Sequence, residues 1–61
     1  MSQNTNSITT ADTGTVIEHT CVSEDALRAH RRRQINRGVA VSLMAFDPSR
    51  GVYTYDESEA A

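Results

Sequence analysis

The chain has 61 residues, a formal net charge of −2, 38% hydrophobic residues and one cysteine. A lone cysteine excludes an intramolecular disulfide, and a domain near this size buries only about 60% of the surface its unfolded chain exposes. The chain is therefore expected to be a single small domain that draws stability from self-association or from a partner.

No apolar run approaches the roughly 20 residues of a membrane span. The opening MSQNTNSITT has neither the basic nor the apolar region of a secretory signal. A cytoplasmic protein without membrane contact is expected. Charge is segregated along the chain: residues 23–38 hold Arg28, Arg31, Arg32, Arg33 and Arg37 against Glu24 and Asp25. Residues 39–61 hold Arg50 against Asp47, Asp56, Glu57 and Glu59.

In chain order, residues 1–14 are rich in Ser, Thr, Asn and Gln with little to bury, which predicts a disordered N-terminal tail. Residues 15–56 are expected to form the single domain. Within it, TVIEHTCV over residues 15–22 alternates as a strand, with Ile17 and Cys21 toward the core.

Ser23 is a good N-cap, Glu24 and Asp25 suit the positive end of a helix dipole, and Gly38 suits the left-handed residue after its end. A helix is predicted over residues 23–37. At 100° per residue, Leu27, Arg31, Gln34 and Ile35 share one narrow arc, with His30 beside it, so only two large aliphatic side chains face the sheet. Arg31 is expected near the sheet margin, paired with a carboxylate, its stem adding apolar cover.

Residues 39–55 predict a hairpin: the apolar strand VAVSLMAF, the turn DPSRG, and the return strand VYTY. Asp47, Pro48 and Gly51 supply the turn chemistry. Val39, Val41, Leu43 and Ala45 alternate with Ala40, Ser42, Met44 and Phe46, so both faces read as apolar and the strand as central. Residues 57–61 are expected to fray as an acidic C-terminus, with Asp56 and Glu57 able to pair with arginines of a neighbouring helix.

These elements give an α+β fold, a βαββ unit with a three-stranded sheet and one basic helix on one face. One thin helix cannot cover both faces of an apolar central strand, which predicts a homodimer or a foreign partner.

Chemistry is sparse. His19, Cys21 and His30 lack the ligand count and spacing of a zinc site, and Cys21 with a histidine and Asp25 lacks the flanking pattern of a nucleophile. Gly14, Gly38 and Gly51 form no phosphate loop. A non-catalytic protein with no metal and no cofactor is expected.

The arginine cluster carries more weight, because guanidinium groups bind carboxylates and phosphates in bidentate fashion. Two readings follow. In the first, a small regulator or inhibitor, of the kind a phage or mobile element carries, binds a larger protein or complex. Arg28, Arg32, Arg33, Arg37, Tyr53 and Tyr55 would then be the contact residues. In the second, the same helix lies on a nucleic-acid backbone, against which stands a sequence pI of about 5.5.

Overall fold

The computed structural model describes residues 7–58 and shows a small α+β protein, one helix on a four-stranded antiparallel sheet. The elements are β1 (Thr9–Asp12), β2 (Val16–Cys21), α1 (Glu24–Asn36), β3 (Ala45–Asp47) and β4 (Val52–Ser58). The strand order is β1-β2-β4-β3. No helix among the described residues is long and apolar enough to cross a membrane.

The sheet has four strands where three were expected, and the added one, β1, lies in the stretch read as a tail. Its side chains are all exposed, so burial does not hold it. Backbone pairing does, with Thr9 opposite Thr20 and Asp12 opposite Ile17. The connecting turn is built by small polar groups: the Gly14 amide donates to Asp12 Oδ1 at 2.9 Å, and the Thr13 amide to the Val16 carbonyl at 2.9 Å. Residues 1–6 of the expected tail lie outside the described residues.

The helix ends as the sequence predicts. Ser23 accepts the Ala26 amide at 3.3 Å. At the far end Gly38 takes a φ of +84°, its amide donates to the Ile35 carbonyl, and the Val39 amide donates to that of Gln34. That pair of bonds satisfies carbonyls the last turn would otherwise leave open. Leu27 is fully buried, but Ile35 is 46% exposed. The side chains of His30 and Gln34 reach the sheet instead.

The strand expected over residues 39–46 is neither central nor continuous. β3 is the edge of the sheet, and residues 39–44 run irregularly beside the end of β4. Val41 faces Glu57 while Ala45 faces Thr54, so four steps on one strand match three on the other. One extra residue is a β-bulge, and it reverses the side-chain alternation. Val41, Met44 and the Phe46 partner Tyr53 therefore all lie against the helix side of the sheet, packed on the core. Leu43 is left 83% exposed.

The outer face carries Glu18, the buried Thr20, Thr54 and Asp56 with Val16 and Val52, alternating with His19 and Tyr55 on the helix side. Arg50 in the β3–β4 turn ties it together, donating to both carboxylate oxygens of Glu18 and, at 2.6 Å, to Asp47. The Ser49 hydroxyl and the Arg50 guanidinium hold the Asp47 carboxyl down at about 2. β4 also runs on to Ser58, past the expected end of the domain; residues 59–61 lie outside the described residues.

Candidate interaction surface

The apolar core proper is Cys21, Leu27 and Tyr55, with Ile8, Ala26, Val41, Met44 and Tyr53 partly buried around it. So small a core is completed by polar groups. His19, only 4% exposed, donates from Nε2 to Glu57 Oε1 at 2.9 Å, and its Nδ1 lies 3.0 Å from the Thr10 hydroxyl. Gln34 on α1 donates to the same Glu57 oxygen at 2.8 Å. The His19 ring stacks on Tyr55 with centroids 4.8 Å apart, and His30 lies 4.7 Å from His19.

The charges in this cluster follow from its contacts. Glu57 is held below the usual carboxylate range by the Gln34 and His19 hydrogen bonds, so it accepts and does not donate. Burial lowers His30, helped by the charges of His19 and Arg33 and opposed by Glu57. Glu57 was expected to fray or to meet an arginine; it joins β4 to β2 and α1 instead.

The histidines and the thiol considered for chemistry sit in or against the core. Both ring nitrogens of His19 have protein partners, His30 Nδ1 is bonded to Tyr55, and Cys21 is buried in no disulfide. Among the described residues no group of three His, Cys, Asp or Glu side chains could hold a metal ion.

The open surface is a groove of about 580 Å³ between α1 and β3. One wall is a stripe of the helix, Arg28, Arg31, Arg32 and Ile35, with Glu24 and Asn36 at its ends. The other is Met44, Ala45 and Phe46, and Tyr53 forms the floor. Positions 28, 31, 32 and 35 fall together because residues three and four apart share a helix face. Phe46 is 52% exposed, its ring 4.9 Å from that of Tyr53.

Of the contact residues predicted from sequence, the groove gathers Arg28, Arg32 and Tyr53. Arg28 is paired with Glu24 at 2.6 Å, and Arg32 makes no ion pair among the described residues. Arg33 lies elsewhere on the helix, beside a shallower hollow with Ile8, Asp25 and Ala29. Arg37 caps the helix end, donating to Gln34 Oε1 at 3.3 Å. Tyr55 is corrected outright: at 1% exposure it is a core residue, closed in by His30 of α1 and stacked on His19.

The rest of the groove lining lies outside the predicted contact set, Phe46, Met44 and Arg31 among it. Phe46 and Met44 were legible as apolar side chains needing cover, but the reversal of alternation at the bulge was not. Arg31 does sit at the sheet margin, where its Nε donates to the Ser42 carbonyl at 2.7 Å and not to a carboxylate.

Fold and surface together define the class, a four-stranded antiparallel sheet with one basic helix and an aromatic groove at its edge. No protein-family model matches the chain, nor does any curated protein or solved structure.

Proposed function

We propose that this chain is a small, non-catalytic, cytoplasmic interaction protein, a regulator or inhibitor that binds a larger protein through the groove between α1 and β3. The observation that carries this reading is the half-exposed Phe46 beside Tyr53 and Met44, rimmed by Arg28, Arg31 and Arg32. Aromatic and arginine side chains around an apolar centre are the composition of binding hot spots.

The nucleic-acid reading is the weaker one. Arg33 and Arg37 lie outside the stripe that holds Arg28 and Arg32, and the opposite face of the sheet carries Glu18, Asp47 and Asp56. Copurification from the host cell compares the tagged full chain with a Phe46→Ala, Arg32→Glu double variant whose circular dichroism shows it folded. A protein retained by the first and lost by the second is the expected result. No protein dependent on the groove, together with salt-sensitive binding to RNA or DNA, would replace this reading by the nucleic-acid one.

A further inference from the structure

We infer that the occupant of the groove is an acidic amphipathic helix of a partner protein, lying beside α1 against β3. This rests on the interaction reading above and specifies its partner.

The shape argues for a helix. α1 packs on β2 and β4, leaving β3 uncovered. Strands are about 4.8 Å apart and packed helices about 8–10 Å, so a second helix against α1 has its axis over or just beyond β3, on Phe46 and Met44. The groove follows α1 from Glu24 to Asn36, about 18 Å at 1.5 Å per residue, or a little over three turns. A strand added to the β3 edge would find only Ala45–Asp47 in regular pairing, with the bulge between Val41 and Ala45 interrupting the ladder beside it.

The charges argue for acid on one side of that helix. The α1 wall carries Arg28, Arg31 and Arg32 against Glu24 alone, whereas Met44, Ala45 and Phe46 on the other wall are uncharged. Arg31 lines the groove with its Nε bonded to the Ser42 carbonyl and makes no ion pair among the described residues, so its charge is open to a carboxylate. The occupant therefore presents carboxylates to α1 and apolar side chains to β3. A second copy of this chain fits poorly, because its own helix would bring a matching set of arginines against these.

The test is a selection of displayed random peptides of about 15 residues, a four-turn helix, on the full chain. The expected winners have apolar residues spaced three and four apart with Asp or Glu between them. Synthesised, they should shift amide resonances at Arg28, Arg32, Phe46 and Tyr53. Their affinity should fall about tenfold or more with Phe46→Ala and with Arg32→Glu, and change less than about threefold with Arg33→Glu. Should Phe46→Ala not fold, the two arginine variants suffice.

Winners that are basic or uncharged, that bind equally to the Arg32→Glu chain, or that shift resonances on β1 instead would overturn the inference. So would a selection that enriches nothing beyond the double variant. If the host-cell experiment still returns a groove-dependent protein, the interaction reading survives and only the acidic helix is lost; if both fail, both readings fall.

Discussion

The Tyr55 hydroxyl lies 2.5 Å from Nδ1 of His30, joining β4 to the middle of α1. Burial, with the charge of Glu57, pushes the Tyr55 phenol up to about 12, and burial lowers His30. At neutral pH the phenol therefore donates and the neutral imidazole accepts. The helix, with Leu27 as its only fully buried apolar side chain, is also joined to the sheet by this contact and by the Gln34–Glu57 bond.

Stability should fall as the solution is acidified. The folded-state value of His30 lies below its ordinary 6.5, so folding favours the neutral ring. Its contribution is complete above about pH 6.5 and is lost as pH drops through the folded value. Glu57 acts in the same direction below its ordinary 4.5, because its ionised form is the one hydrogen-bonded. Thermal melts should show a level Tm above neutrality, a decline below pH 6.5 that His30→Gln reduces, and a further decline below 4.5. A Tm that rose between pH 7 and 5.5 would refute the assignment.

Tyr55→Phe removes one hydroxyl and leaves His30 Nδ1 facing an apolar ring. An orphaned, partly buried acceptor of this kind costs about 1–3 kcal/mol. Chemical denaturation should report that loss with an unchanged m-value, since the compactness of neither state changes.

The bulge separates neighbours that a regular strand would treat as near equals. Leu43→Ser, at a side chain 83% exposed, should alter stability by less than about 0.5 kcal/mol. Met44→Ser withdraws a side chain packed against the core and should cost more than about 1 kcal/mol. Equal effects in urea melts would place the extra residue elsewhere.

Gly38→Ala tests the helix end. A Cβ there meets nothing within 4 Å, so the cost is that of the left-handed backbone at φ +84°, about 1–2 kcal/mol. Gly38→Asn should cost less, because asparagine tolerates that region better. Both are read by thermal melts with the far-ultraviolet spectrum as control.

The local signals were legible where residue chemistry acts within a few positions. Ser23 and Gly38 bound the helix, and Asp47 to Gly51 make the turn, because caps and turns are closed by atoms of the same short segment. β1 was not legible. Its four exposed side chains contribute little to a core, and its hold on β2 is a ladder of backbone bonds that the sequence Thr-Thr-Ala-Asp, set in a polar stretch, conceals.

The surface was half legible. Arg28, Arg32 and Tyr53, expected as contact residues, line one groove, but Tyr53 and Tyr55 share a face of β4 and period-two alternation cannot tell them apart. The offset of α1 over β2 and β4 separates them, burying Tyr55 and leaving Tyr53 on the groove floor. The apolar strand misled for a related reason: one inserted residue turned an apparent two-faced strand into an edge with a single apolar side.

By itself, then, the order of residues determined where the helix begins and ends, where the hairpin turns, and that arginine gathers on one segment, since each depends on neighbours in the chain. Tertiary structure alone decided which aromatic ring is buried, which strands stand at the edges, and that two histidines and a glutamate complete the core. Those outcomes depend on registers and packing between residues far apart in the chain, 42 positions for Val16 and Ser58 and 38 for His19 and Glu57, which no local pattern encodes.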